Sequence, residues 1–476
     1  MDFSKIKFRR KFALCHYKDL CIPLSEMSFE KDFVNDSRGN PYPILYKSET
    51  CTESITENRY TVLRGSICRW IGAFFPYASY RVSTEQIDGQ VGFLFQLPDT
   101  EAAIHMDETS LFFTNGDNTD IIPLPSNLPS HRTMIISCRP GAFDIYFEMN
   151  GAPYFFHTFA CKAFAQSDHY ELFSNGSVAL SVSGQAIITK VTSYLDCGIS
   201  QADIRPIRFE NGNVLLKNGK MWLTVSIRLQ SGCYQGVFSH VPGTAEFEMT
   251  GALFFDAGDG IWAGDVASSI LYHREEKQFY LWVCSFSRGH ILGHAAFSGD
   301  PRYGINVIDI NLMEKAPENT PITTFLGFEG DEDPDFYFDA KTQRWTMAIC
   351  RLDPEIQAYR YLFFESLNPF YGYKYIGQGQ DGAETGGSFV KINDERYFVC
   401  GNDFNAVSDY RIYGKDGMQK LRFDYPDGGF RGWGTLIPVK LGSRTRHFLL
   451  TFDRHNGSDF NWSYGNLYCF EADIPH

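Results

Sequence analysis

Between Gly330 and Arg351 the chain reads GDEDPDFYFDAKTQRWTMAICR. Four carboxylates, Asp331, Glu332, Asp333 and Asp335, crowd around Pro334 and lead into alternating aromatics. Placing acids at the entry of an apolar hairpin is unfavourable unless they are paired or do chemistry. Two more acids open comparable stretches, Asp265 in DVASSILYHREEKQFYLWVCSF and Glu384 in ETGGSFVKINDERYFVCG. Two carboxyl groups flanking an anomeric carbon can break a glycosidic bond, one ionised and one carrying a proton. A third carboxylate raises the acid's pKa by like-charge repulsion. Asp265, Asp333 and Glu384 are therefore the candidate catalytic set. A carboxyl separation of about 5–5.5 Å would mean retention at the anomeric carbon, and roughly 6.5–9.5 Å inversion.

Acids so far apart in sequence meet only if a repeating scaffold gathers them. Five segments share one form, a polar entry, an apolar strand, a turn and an aromatic-rich strand. They are residues 207–228, 265–286, 330–351, 384–401 and 432–453. Asp265 to Asp333 is 68 residues, Asp333 to Glu384 is 51 and Glu384 to Trp433 is 49. Propeller blades repeat at such periods, and the starts of their inner strands gather at one mouth. Residues 199–476 are predicted to form a five-bladed β-propeller. Upstream, short period-2 strands such as QVGFLF, MIIS and FDIYF alternate with turns such as Asn150-Gly151 and Ser183-Gly184. That pattern predicts a β-sandwich over 60–198. Residues 1–60 are weakly patterned and read as an arm with a lead strand. The fold class is all-β, a sandwich followed by a propeller.

Asp333-Pro334-Asp335-Phe336 resembles the DPxxF motif of five-bladed glycoside hydrolases such as families 43, 32, 68, 117 and 130. Glu384-Thr385-Gly386, followed by Lys391 and Tyr397, resembles their EGPxxxK…YY motif. Asp265-Val266 lacks the proline of the NDP position, and Gly387 stands near that of EGP. The resemblance covers about residues 200–476. It implies Asp265 as base or nucleophile, Asp333 as the orienting and pKa-raising residue, and Glu384 as general acid. It also implies furanoside or pentoside substrates, arabinofuranosyl, fructofuranosyl or xylosyl, and allows transglycosidase activity. The upstream module resembles the concanavalin-like (laminin-G-like) sandwiches that accompany carbohydrate-active enzymes.

Aromatic, basic and amide residues near the strand entries are candidate sugar contacts: Trp262, Arg288, His290, Asp335, Arg351, Trp433, Arg454, Asn456 and Trp462. Each has a plain structural alternative, core packing for the tryptophans and ion pairing for the arginines. Whether Asp333 or Asp335 faces the channel is open, because one residue of register reverses the side. The formal charge of −14 gives no basic footprint for nucleic acid. No run of about 20 apolar residues suggests a membrane span. Residues 5–11 (KIKFRRK) are not followed by an apolar segment, so no export signal is read there. The 12 cysteines are scattered without a CxxC, as free thiols in a reducing cytoplasm would be. No cofactor is expected, although an acidic mouth could hold a structural Ca²⁺. The expected partners are an oligosaccharide and, in a homo-oligomer, further copies of the chain. The alternative to a hydrolase is a carbohydrate- or protein-binding propeller.

Overall fold

A computed structural model describes residues 1–14, 22–27, 43–56, 59–195, 198, 200–230, 232–317, 319–321, 323, 326–380, 382–402, 410–423, 430–453 and 467–475. Two compact units form. One comprises 1–20, 197–259 and 263–476, the other 21–196 and 260–262.

The first unit is a five-bladed propeller. Its inner strands are Ser200–Pro206, Val266–His273, Glu332–Asp339, Glu384–Ile392 and Phe430–Leu441, and each heads its own antiparallel sheet. The first touches the second, and so on around to the fifth, which touches the first again. Blades 3 and 4 are four-stranded meanders. Blade 1 gains Gly304–Asp309 as a parallel outer strand, and Arg208–Phe209 runs parallel to the inner strand of blade 2. The last blade is completed from the far end of the chain. Lys7–Leu14 pairs antiparallel with Leu467–Ala472, and Phe3, Ile6 and Phe8 fill the core between blades 4 and 5. The expected arm of residues 1–60 is thus divided. Residues 7–14 close the propeller, whereas Ile44–Lys47 and Thr52–Thr56 join the other unit. The first blade also begins earlier than the repeat suggested, at Ser200 rather than Ile207.

In the second unit the described strands belong to one antiparallel network around an aromatic core that includes Phe93, Phe95, Phe113, Phe143 and Phe159. Its spine is the pair Ala78–Leu97 and Ser177–Leu195, registered from Gln96↔Ser177 to Ala78↔Leu195. The two strands cross closely at Gly89 and Gly184. A Cβ on Gly89 would sit 2.1 Å from the Ser183 carbonyl oxygen, so only glycine fits. Trp262 belongs to this unit. It stacks on Tyr170 at 5.1 Å and packs on Phe173 and Phe75, which corrects its expected place at the mouth of the propeller. Partly buried, it packs its apolar face against that core. Among the described residues no helix is long and apolar enough to cross a membrane.

Candidate active site

Each inner strand is interrupted at the same place. The pairing register slips between Ala202 and Arg205, Val266 and Ser269, Glu332 and Asp335, and Thr385 and Ser388. One residue in each bulge takes a left-handed backbone: Asp203 (φ 50), Ala267 (φ 57), Asp333 (φ 49) and Gly386 (φ 60). Glycine and aspartate tolerate that conformation better than most residues. A bulge re-aims side chains, and here it sorts the acids into two rows.

Asp265, Asp331 and Glu384 occupy the position two residues before the left-handed one, and they turn into the blades. Asp265 accepts from the Ser285 hydroxyl at 2.6 Å, from the Ser287 N–H at 3.1 Å and hydroxyl at 2.9 Å, and from Arg288 at 3.2 Å. Arg288 is itself clasped by Asp259, with both bonds at 2.8 Å. Burial raises the Asp265 pKa against these donors. Asp331 is held by Arg351 at 2.5 and 2.8 Å and by the N–H groups of Gly327 and Phe328, both at 3.1 Å. The Arg351 guanidinium lies over the Phe328 ring at 4.0 Å. Arg288 and Arg351 are thus partners of blade carboxylates, which corrects their reading as sugar contacts. Glu384 accepts from the Tyr361 N–H at 3.1 Å and from the Tyr413 hydroxyl, with Arg411 at 3.7 Å. A Cβ on Gly379 would stand 1.8 Å from its Oε2, so this carboxyl is enclosed on that side too.

Asp333 and Asp203 take the left-handed position itself, and they face each other electrostatically. Asp333 accepts from the Thr385 hydroxyl at 3.1 Å and the Gly386 N–H at 3.0 Å, across the boundary with blade 4. Asp203 is buried, and its Oδ1 has no hydrogen-bond donor. Burial first, and the Asp333 charge second, push its pKa up to about 6 against the pull of Arg228, Arg205 and Ser226. Asp333 and Asp203 thus hold the same bulge position in blades 3 and 1, two register positions beyond Asp265 and Glu384. Asp203 was absent from the sequence-based set. Its signal was the match of Ala202-Asp203-Ile204-Arg205 to Glu332-Asp333-Pro334-Asp335, an acid followed two residues later by a charged group.

Two residues further along, side chains plug the axis. Asp335 accepts from Arg208, Ser269 and the Phe389 N–H, and Arg208 also donates to the Phe389 carbonyl at 2.8 Å. Arg205 donates to the Gly387 carbonyl at 2.9 Å, and the Ser388 and Thr435 hydroxyls meet at 3.0 Å. Asp335 also faces inward, one layer below Asp333. It is fully bonded there, so it stitches blades together and corrects its reading as a sugar ligand. At the other side of Asp333, Glu332 and His290 remain partly open, with Nε2 of His290 3.1 Å from Glu332 Oε1.

Arg454, Asn456 and Trp462 lie outside the described residues, and the Trp433 backbone continues the inner strand of blade 5. No group of three or more His, Cys, Asp or Glu side chains that could hold a metal ion gathers among the described residues. A cleft of about 620 Å³ opens at the other ends of the blade 3 and 4 inner strands, lined by Tyr337, Phe389, Arg396 and Tyr413. It contains neither Asp203 nor Asp333.

No family model matches the sequence, and neither does any curated protein. Solved structures are similar in fold. A family 62 glycoside hydrolase in complex with xylotriose matches over 58% of this chain and 92% of its own, at 11% identity and a TM-score of 0.39. An α-L-arabinofuranosidase from Podospora anserina in complex with cellotriose matches over 59% and 92%, at 12% and 0.39. Levansucrase from B. subtilis matches over 58% and 84%, at 11% and 0.42. The likeness is one of fold, to the five-bladed propeller glycoside hydrolases, and it transfers no chemistry by itself.

Proposed function

We propose that this chain is a glycoside hydrolase acting on short oligosaccharides at the mouth of its propeller. The observation that carries the reading is that Asp203 and Asp333 hold equivalent left-handed bulge positions of two inner strands, with the Asp333 charge acting on Asp203. Two carboxyl groups at one site are the working parts of acetal cleavage. Asp333, fixed by the Thr385 hydroxyl and the Gly386 N–H, is the member that faces the anomeric carbon. Asp203 carries its proton below about pH 6 and is ionised above it. The polar plug of Arg205 and Asp335 forms a floor beneath them, which suits a blind pocket for one terminal sugar.

Furanosides and pentosides are the proposed substrates, on the motif resemblance of Asp333-Pro334 and Glu384-Thr385. Short substrates suit a reducing cytoplasm, in keeping with nine free cysteines among the described residues. Transglycosylation stays within the same chemistry. The roles first suggested for Asp265 and Glu384 pass to Asp203 and Asp333, because Asp265 and Glu384 spend their oxygens on blade donors. The test is a screen of 4-nitrophenyl furanosides and pentosides beside natural oligosaccharides, with the product anomer followed by NMR. Cleavage of at least one glycoside is expected. Saturable sugar binding with no cleavage across the panel would establish the alternative, a carbohydrate-binding propeller.

A further inference from the structure

The cleft of about 620 Å³ between blades 3 and 4 opens far from the axial acids. Asp339, in its lining, ends the blade 3 inner strand six residues beyond Asp333, which is about 20 Å along an extended chain. Two hairpin turns help to line it. One joins Asp339 to Arg344, and the other holds Asn393 (φ 50) and Asp394 (φ 61), both left-handed as a tight two-residue turn requires. The walls are aromatic. The Tyr337 and Phe389 ring centroids stand 6.1 Å apart, with Phe363 6.4 Å beyond Phe389. Gly212 makes room for Tyr337, because a Cβ there would sit 2.7 Å from the ring.

The charge of the cleft runs against that of the molecule. Lys341, Lys391, Arg396 and Lys415 line it against Asp339 and Asp394, in a chain of formal charge −14. Lys391 is paired with Asp394 at 3.0 Å, and Lys415 with Glu395 at 2.5 Å. Asp339 turns an oxygen to its own turn, accepting from the Lys341 N–H at 2.9 Å. Among the described residues the Lys341 ammonium and the Arg396 guanidinium have no ion pair. Arg396 is nonetheless fixed. Its Nη1 donates to the hydroxyl of the buried Thr346, and its guanidinium lies 5.6 Å from the Tyr337 ring centroid and 5.7 Å from that of Phe389. Its Nε and Nη2 have no acceptor among the described residues, and the Tyr337 hydroxyl has no partner there either.

A planar fork held over aromatic rings with donors unused is a receptor for a carboxylate or phosphate. The volume far exceeds one such group and lies in the range of small-molecule sites. Aromatic rings cover the C–H face of a sugar, and the Asn211 amide in the lining suits its hydroxyls. We infer that this cleft is a second ligand site of the propeller, for a sugar ring bearing one anionic group. Arg396 takes the anion, Lys341 adds charge from the turn, and Tyr337 and Phe389 hold the ring. The site is separate from the mouth and does not depend on hydrolysis there.

The test is an NMR titration of the full chain at low ionic strength with glucuronate, glucose 6-phosphate, glucose and benzoate. At least one of the two anionic sugars should bind about 10-fold or more tighter than glucose and benzoate. The one preferred tells a carboxylate source from a phosphate source. Arg396→Gln should weaken that binding about 10-fold or more, and Arg396→Lys, which keeps the charge without the fork, by less. Lys341→Gln, at an exposed turn where folding is not at stake, should weaken it about 3-fold. No binding of either anionic sugar, equal binding of glucose or of benzoate, or unchanged affinity in Arg396→Gln or Lys341→Gln would overturn the inference. A chain that binds an anionic sugar and cleaves no glycoside would sink the hydrolase reading and leave this site standing. An active hydrolase that binds neither anion would do the reverse.

Discussion

Replacing Asp203 by asparagine should make the protein more stable at neutral pH while abolishing its activity. The carboxyl sits buried beside Asp333, and its pKa is pushed up to about 6 from an ordinary 3.8. The folded state therefore holds this proton more tightly than the unfolded chain does. Between those two values the folded state binds more protons, so stability falls as pH rises. Below about pH 4 both states are protonated and the residue carries no penalty. Above about pH 6 the full penalty applies, and a shift of about two units corresponds to about 3 kcal/mol. Asparagine has nearly the same shape and never ionises. Its variant should match the wild type at pH 4 and exceed it by about 3 kcal/mol at pH 7. Asp265 and Asp331 also have raised pKa values, but they are common to both proteins and cancel in the difference. Urea midpoints of wild type and Asp203→Asn, taken at half-unit steps from pH 4 to 7.5, would trace the curve. A difference that stays flat with pH, or a variant less stable at pH 7, would refute the electrostatic account of this pair.

Other substitutions separate scaffold from site. Arg351→Ala leaves Asp331 buried without its cation, and urea unfolding should register a loss of roughly 3 kcal/mol. Gly379→Ala forces a methyl group onto the Glu384 carboxylate, so thermal unfolding should begin at a clearly lower temperature than in the wild type. Removing residues 1–14 takes the closing strand from blade 5 and strips Phe3, Ile6 and Phe8 from the adjoining core. At about 2 kcal/mol for each side chain that amounts to roughly 5 kcal/mol or more, measurable as earlier chymotryptic cleavage.

The five sheets were legible because each blade repeats the same alternation of aromatics around a tight turn, as in the pairing of Phe336 to Met347 and of Phe389 to Phe398. The closing strand was not, because Lys7–Leu14 pairs with residues near the other end of the chain and its sequence says nothing about so distant a partner. The acids illustrate a subtler limit. Asp265, Asp333 and Glu384 stand near equivalent blade entries, yet a bulge puts Asp333 two register positions beyond the other two. A single inserted residue decides which side chain meets the axis, and strand periodicity does not mark where the insertion falls. Asp203 was passed over for a related reason. The first repeat aligns best from Ile207 onward, just past the short strand that carries it. Trp262 looked like a rim aromatic from its neighbours in sequence, but its ring is spent on Tyr170 and Phe173.

The most direct trial of the account is kcat for four single variants, Asp203→Asn, Asp333→Asn, Asp265→Asn and Glu384→Gln, on one glycoside that the wild type cleaves. The axial pair should each lose about 1,000-fold or more with KM little changed, because they act on the reacting carbon. Asp265→Asn and Glu384→Gln should keep kcat within about 10-fold in whatever fraction stays folded, because they serve the blades. The reverse ranking, with Asp265 and Glu384 indispensable and Asp203 dispensable, would contradict the assignment of the site.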